Sequence, residues 1–322
     1  MAYVDLPLDA MRSHVCDQPE PADLDEFWAG TLEEARAFDR PPAFDRVATD
    51  LPLIDTYDVS FPGWGGAPIA GWLHLPAGTT TPLPCVVTYL GYGNGRGLPH
   101  DNLIWALAGY AMLVMDTRGQ GSHGMPGNTS DAAGSGPAYP GVMTRGVESP
   151  QTYYYRRLIT DAVRAVDAAR AFELVDPRRI VVTGRSQGGG LSIAAAALAP
   201  DVFAAMPDVP FLCDFPRALW IGTEEPYDEL VGYLATHRGA TETVLRTLSY
   251  VDGAHLARRA TMPALFSVGL MDPVCPPSTV YSAYNAWSGT KQMREYRYNG
   301  HEGGDSFQVT EQLGWLRELL GS

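Results

Sequence analysis

One serine stands between two glycines at the junction of a predicted strand and a predicted helix, in the segment IVVTGRSQGGG (residues 180–190). A Gly-x-Ser-x-Gly turn of this kind lifts the serine hydroxyl above the edge of a parallel sheet. Gly184 and Gly188 carry no Cβ and would let neighbouring backbone approach closely. The alternative is an ordinary glycine turn, since the chain has 34 Gly among 322 residues. Because the segment leads from a β-rich run directly into a helix, we interpret Ser186 as a candidate nucleophile.

A serine hydroxyl is a weak nucleophile and needs a base, which in turn needs an orienting acid. At such turns the partners follow in the order Ser, acid, His. His301 follows a predicted late strand, Glu295–Tyr298, and precedes the last predicted helix. Asp272 comes just after the preceding predicted strand, whereas Asp208 is a rival carboxylate one strand earlier. The order of elements favours a triad of Ser186, Asp272 and His301. Such a triad catalyses acyl transfer.

Acyl transfer also requires two hydrogen-bond donors for the oxyanion of the tetrahedral intermediate. One is expected to be the backbone N–H of Gln187, directly after the candidate nucleophile. The other is expected in the glycine-rich segment YLGYGNGRG (residues 89–97), where we assign the backbone N–H of Tyr92. A phosphate-binding loop is the weaker interpretation of this segment, because no Gly-Lys-Ser/Thr follows it.

These residues must be positioned by strands that alternate with helices. Four runs read as buried strands: Cys85–Leu90, Ala111–Met115, Ile180–Thr183 and Ala264–Gly269. Apolar residues recur at helical spacing in Tyr153–Leu174, where Ser149 could cap the helix, and in the C-terminal helix. Two β-rich runs, residues 57–61 and 69–75, fit antiparallel edge strands. The pattern predicts an α/β fold with a mostly parallel central sheet flanked by helices.

Three segments lie outside this alternation. Residues 20–40 predict an N-terminal amphipathic helix. Residues 119–150 are rich in Gly, Pro and Ser and too long for a simple connection, and residues 210–250 predict a helical insertion above the sheet. We expect residues 1–322 to form a single domain that carries these two insertions as lid or interface segments.

The composition narrows the classes of partner and site. A net charge of −14 argues against nucleic acid and membrane surfaces as partners. No signal peptide and no membrane-length apolar run is recognised. The four cysteines have no metal-ligand spacing and read as reduced, mostly buried thiols, which predicts a cytoplasmic protein. We expect neither a metal nor a cofactor.

The sequence resembles the acetyl xylan esterase and cephalosporin-C deacetylase group, carbohydrate esterase family seven of the α/β-hydrolase superfamily. The similarity extends over nearly the whole chain. It is carried by six segments: DTRGQGS (Asp116–Ser122), YPGVMTRG…YYYRRLITDAVRAV (Tyr139–Val166), SQGGG (Ser186–Gly190), DVPFLCDF (Asp208–Phe215), FSVGLMDPVCPPST (Phe266–Thr279) and HEGG (His301–Gly304).

This resemblance implies an α/β-hydrolase fold and cofactor-free deacetylation of small acetylated sugars and of cephalosporin C. It implies the triad and the two oxyanion donors already assigned, with Tyr92 and Pro210 expected to contact the substrate. It also implies a ring-shaped homohexamer, in which the segment near 119–150 helps to pack subunits. One departure is Arg185, directly before Ser186, where similar sequences often have Gly.

Two other functions are compatible with these residues. A serine peptidase of the prolyl-oligopeptidase type would use the same fold and triad, but it usually carries a propeller or a site for a peptide amino terminus, and neither is recognised. A hydrolase-fold protein without catalysis could serve as a binding protein. The intact triad argues against that second alternative.

Overall fold

The computed structural model describes residues 5–132, 141–222 and 224–321 of the chain. Within these residues nine strands form one continuous sheet. In chain order the strands are β1 (Ala43–Val47), β2 (Ile54–Pro62), β3 (Pro68–Pro76), β4 (Leu83–Tyr89), β5 (Ala111–Met115), β6 (Val175–Arg185), β7 (Ala204–Asp208), β8 (Ala264–Gly269) and β9 (Lys291–Tyr296). Their order across the sheet is β1-β2-β3-β5-β4-β6-β7-β8-β9.

The strands from β5 to β9 across the sheet run parallel to one another, whereas β1, β2 and β3 pair in antiparallel fashion at one side. The predicted mostly parallel sheet with antiparallel edge strands is therefore confirmed. All four predicted buried strands are present, and β6 is longer than its prediction. The order reverses between β4 and β6, and such switch points in α/β sheets are where ligand sites form.

Helices cover both faces of the sheet. In chain order the described helices are α1 (Leu8–Met11), α2 (Leu24–Arg36), α3 (Ile104–Leu107), α4 (Tyr154–Arg170), α5 (Gln187–Leu198), α6 (Phe215–Ile221), α7 (Tyr227–Thr236), α8 (Thr241–Ser249), α9 (Gly253–Leu256), α10 (Pro277–Ala286) and α11 (Asp305–Leu320). Because successive strand residues point to opposite faces, Val87 and Val182 join a core with α2, α4, α5 and α10. Val86 and Val181 join a second core with α3 and α11.

The predicted N-terminal helix is present as α2, and the predicted helical insertion at 210–250 contains α6, α7 and α8. The insertion at 119–150 has no helix or strand in its described residues, and residues 133–140, which include Tyr139 and Pro140 of the matching segment, lie outside the described part. A buried ion-pair network joins this insertion to α4. Its members are Arg118, Asp131, Arg157 and Asp161.

Two local predictions were wrong. Ser149 does not cap α4, because residues 141–153 fold into turns and the helix begins at Tyr154, whose N–H bonds the carbonyl of Arg145. The Ser149 hydroxyl bonds the Gln151 side chain instead. The late strand lies at Lys291–Tyr296 rather than 295–298, because the N–H of Asn299 turns back to the carbonyl of Tyr296.

The four cysteines, Cys16, Cys85, Cys213 and Cys275, are free and buried, in agreement with the prediction. Among the helices described here, none is long and apolar enough to cross a membrane.

One buried histidine should make folding stability depend on pH. His74 on β3 faces Thr56 on β2, and the Thr56 Oγ1 lies 3.1 Å from His74 Nδ1. The His74 Nε2 has no hydrogen-bond partner among the described residues. Burial lowers the pKa of His74 from 6.5 to about 4, because a buried imidazolium would be poorly solvated.

A pKa that is lower in the folded state means that protonation favours unfolding. Above pH 6.5 His74 is neutral in both states and does not lower the free energy of unfolding. As the pH falls toward 4, its protonation in the unfolded state lowers that free energy by a total of about 3 kcal/mol. Denaturant titrations measure the free energy of unfolding at pH 7 and at pH 4.5. The decrease between these two pH values should be about 2–3 kcal/mol smaller in His74→Gln than in the wild type. The exposed His100, changed to Gln, is the matched control. Identical losses in all three proteins would contradict this assignment.

Candidate active site

The candidate nucleophile lies at the corner between β6 and α5. Ser186 has φ 56° and ψ −117°, a left-handed conformation that non-glycine residues rarely adopt and that is typical of strained functional turns. A Cβ on Gly184 would lie 2.6 Å from the carbonyl oxygens of Gly188 and Tyr89, and one on Gly188 would collide with Tyr89. Both positions therefore require glycine. The strand–turn–helix predicted from this segment is present.

Parallel packing brings the other candidates to the same edge of the sheet. Tyr92 follows β4, Asp272 follows β8 and His301 follows β9, so all of them lie with Ser186 at the carboxyl ends of strands. Ser186, Tyr92 and His301 line one cavity of about 660 Å³. This volume lies within the range typical of small-molecule sites.

The structure pairs His301 with Asp272. The Asp272 Oδ2 lies 2.9 Å from His301 Nδ1, while its Oδ1 accepts hydrogen bonds from the N–H groups of Val274 and Cys275 at 2.8 and 2.9 Å. The carboxylate is buried, whereas 28% of the His301 side chain is exposed. An imidazole held through Nδ1 keeps Nε2 free to act as a base.

The rival carboxylate has a different partner. Asp208 accepts a hydrogen bond from the Ser267 hydroxyl on the neighbouring strand. Burial raises the pKa of Asp208, and the Ser267 hydrogen bond and the charge of Arg185 act in the opposite direction. The carboxylate that accepts a hydrogen bond from the His301 ring is that of Asp272 and not that of Asp208.

The two predicted oxyanion donors are joined by a network that the sequence did not predict. The Gln187 N–H is the first amide of α5 and has no partner within the helix. The Gln187 side chain donates a hydrogen bond to the Leu90 carbonyl at 3.2 Å and accepts one from the Gln120 side chain at 2.9 Å. Gln120 also accepts from the N–H of Gly93 at 2.6 Å. Gln120 therefore holds the Tyr92 loop against the start of α5.

A second unpredicted contact holds the Tyr92 side chain. The Tyr92 hydroxyl donates to the carboxylate of Glu229 on α7 and accepts from the N–H of Val142 at 2.8 Å. Glu229 also accepts from the N–H of Met143 at 3.0 Å. Burial raises the pKa of Glu229, and these donors oppose that shift. The insertion at 210–250 is thereby joined to the loop that carries the expected donor.

Pro210 is the predicted substrate contact that the structure leaves outside the cavity. It packs against α5, where a Cβ on Gly189 would lie 2.8 Å from Pro210 Cα. Within the described part of the chain, Pro210 is not among the residues that line the cavity. The cavity wall contains other side chains that the sequence did not single out: Asn94, Trp105, His123, Met125, Glu225 and Val274.

Cys275 was predicted only as a buried thiol, but it lies beside the candidate triad. Polar atoms of Asp272, Cys275 and His301 fall within 4.8 Å of one another, as a metal site would require. However, zinc binds thiolate, and burial raises the pKa of Cys275 well above its usual value. Asp272 already accepts three hydrogen bonds. The arrangement suits an oriented histidine base better than a metal centre.

Comparisons with known proteins agree on one family. A family model described as acetyl xylan esterase (AXE1) matches residues 1–319. The chain is 26% identical to acetyl esterase Axe7A of Xylanibacter ruminicola over 318 residues, which cover 93% of this chain and 67% of that protein.

Solved structures show the same similarity. An acetyl xylan esterase from Paenibacillus sp. R4 is 37% identical, with a TM-score of 0.92 and coverage of 97% of this chain and 99% of that one. Acetyl xylan esterase 1 from Thermoanaerobacterium sp. JW/SL YS485 is 33% identical, with a TM-score of 0.90 and coverage of 98% and 99%.

Proposed function

Because the chain belongs to the acetyl xylan esterase family, and is thus a carboxylic ester hydrolase with the α/β-hydrolase fold, we propose that it removes acetyl groups from small acetylated xylo-oligosaccharides. The observation that carries the proposal is the hydrogen-bonded pair of Asp272 and His301, 2.9 Å apart, whose His301 lines the same cavity as the strained Ser186. Cephalosporin C, an acetyl ester of similar size, is proposed as a second substrate from the sequence resemblance.

The proposed reaction has two steps. Ser186 Oγ attacks the acetyl carbonyl carbon while His301 Nε2 takes the hydroxyl proton. The N–H groups of Tyr92 and Gln187 stabilise the oxyanion that forms. The intermediate collapses, and His301 gives its proton to the departing sugar oxygen.

A water molecule then attacks the acetyl-enzyme. His301 accepts a proton from this water and returns it to Ser186 Oγ as acetate leaves. Throughout, Asp272 holds the imidazole in one tautomer and stabilises its charged form. Each step uses side chains and amides of this chain, so the proposal requires no cofactor.

The proposal predicts a strong preference for short acyl groups. A missing or extra methylene is worth about 1–3 kcal/mol in a fitted apolar pocket, so each added carbon should lower kcat/KM by up to about two orders of magnitude. A panel of p-nitrophenyl esters from acetate to octanoate tests this, with acetylated xylo-oligosaccharides and cephalosporin C alongside. Rapid hydrolysis of the acetyl compounds and slow hydrolysis of octanoate are expected.

The same panel, extended by a peptide amide, separates the alternatives. Faster cleavage of a peptide amide than of acetyl esters would support the peptidase. Absence of turnover on every substrate would support the binding protein. A preference for octanoate would reject the acetyl-specific pocket.

We also propose, from the sequence resemblance, that the protein is a cytoplasmic homohexamer. A hexamer with enclosed active sites would admit oligosaccharides of a few units and exclude polymeric xylan. Light scattering on the purified protein measures the assembly directly, and a monomer would reject it.

A further inference from the structure

Arg185 connects the strand of the nucleophile to the loop of the base. It is the last residue of β6, directly before Ser186. Its Nη2 donates a hydrogen bond to the backbone carbonyl of His301 at 2.6 Å. His301 lies 116 residues further along the chain, so this contact joins two elements that no local interaction holds together.

The loop around His301 is tightly built. The N–H of Met271 bonds the carbonyl of Asn299 at 3.0 Å, and a Cβ on Gly269 would collide with Gly300. Asp272 fixes the His301 ring through Nδ1. These contacts fix the imidazole and the residues before it, whereas Arg185 fixes the His301 backbone itself relative to β6.

The positive charge of Arg185 acts on two nearby carboxylates, those of Asp208 and Glu302. Arg185 pairs in register with Asp208 on β7, so the two side chains point to the same face of the sheet. The positive charge of Arg185 acts against the burial-induced rise in the pKa of Asp208. Glu302, beside His301, has a lowered pKa caused mainly by its hydrogen bond from Asn299, with a smaller effect of Arg185.

We propose that Arg185 is a positioning residue for the acetyl ester hydrolysis proposed above, on which this inference rests. By holding the His301 backbone against the strand that carries Ser186, it keeps Nε2 within reach of the Ser186 hydroxyl. Catalytic groups need such control, because a misplacement of about 1 Å can cost about 100-fold in rate. Arg185 also lines the cavity, but in this proposal it acts through His301 and not on the substrate.

The test uses three variants in the full-length chain. Arg185→Met removes both donor and charge, and Arg185→Lys keeps the charge with a shorter reach. Arg178→Met is the matched control, since the Arg178 side chain lies on the same strand and is 90% exposed. For p-nitrophenyl acetate, Arg185→Met should lower kcat by about 10- to 100-fold with KM nearly unchanged. Arg185→Lys should lose less, and Arg178→Met should match the wild type.

Turnover counted per active site separates positioning from general structural damage. The fraction of each protein that a fluorophosphonate labels at completion gives the fraction of folded, competent sites, and the loss of kcat per labelled site should persist in Arg185→Met. Arg185→Lys should restore part of that kcat with KM unchanged, which a merely structural defect would not do.

A second measurement does not depend on the identity of the ester. The rate at which a fluorophosphonate labels Ser186 requires the same proton transfer to His301, so it should also fall in Arg185→Met. Slow labelling of the variant together with no acetyl ester turnover by the wild type would reject the proposed substrates and keep the role of Arg185. If Arg185→Met does not fold, Arg185→Gln takes its place.

Two results would overturn the proposal. In the first, Arg185→Met hydrolyses p-nitrophenyl acetate and is labelled by the fluorophosphonate at rates within about threefold of the wild-type rates. In the second, KM rises strongly while kcat is unchanged, which would make Arg185 a substrate-binding residue.

Discussion

Replacing Ser186 with alanine is expected to lower acetyl ester turnover by about 10⁴-fold or more. The substitution removes only the hydroxyl group, and the proposed reaction cannot form an acetyl-enzyme without it. The fold should be retained, because alanine adds no atoms to the crowded turn between Gly184 and Gly188. The variant should therefore keep the wild-type Tm within a few degrees while losing steady-state turnover of p-nitrophenyl acetate.

The matched control is Ser192→Ala, six residues further along the chain on α5. The Ser192 hydroxyl bonds the carbonyls of Gly188 and Gly189, both at 2.9 Å, and lies within the helix packing. Its removal should leave turnover near the wild-type value. Turnover by Ser186→Ala within tenfold of the wild type would contradict the proposed nucleophile.

Removing the base should have nearly the same effect. His301→Ala is expected to reduce kcat by about 10⁴-fold, and Asp272→Asn by roughly 10- to 100-fold less, because the acid orients the base and stabilises its charged form but transfers no proton itself. Since the triad acts as a unit, the double variant Ser186→Ala/His301→Ala should be no slower than either single variant. Steady-state kinetics with p-nitrophenyl acetate measures all four proteins.

Two control variants sharpen the second prediction. His100→Gln replaces an exposed histidine and should keep wild-type turnover. Asp208→Asn tests the rival acid, whose carboxylate bonds Ser267. A larger loss of kcat in Asp208→Asn than in Asp272→Asn would show that the acid was assigned to the wrong residue.

The parts of the site that the sequence predicted share one property. Ser186, Asp272 and His301 each follow a strand. Apolar or β-branched residues mark the strands before Ser186 and Asp272, whereas the mostly polar β9 was recognised by its place before the last helix and was predicted too late in the chain. In a parallel sheet, the carboxyl ends of such strands meet at one edge, so their proximity follows from the order of elements. The sheet type and the positions of the buried strands could be predicted for the same reason.

The contacts that the sequence did not predict join residues distant along the chain. Glu229 meets Tyr92 across 137 residues, Gln187 meets Gln120 across 67, and Arg185 meets His301 across 116. No periodicity or motif marks such pairs, because they depend on how the insertions and loops pack above the sheet. The first residue of α4 could not be predicted for the same reason. The turns before the helix decide where it begins, and not the capping preference of Ser149.

The most direct test of the proposed mechanism is the site of covalent labelling by a fluorophosphonate, mapped by mass spectrometry of digested protein. The proposed mechanism predicts a single adduct, on Ser186, and a loss of p-nitrophenyl acetate hydrolysis in proportion to the labelled fraction. Ser186→Ala should take up no label. An adduct on another residue, or full hydrolytic activity after complete labelling of Ser186, would contradict the assignment of Ser186 as the nucleophile.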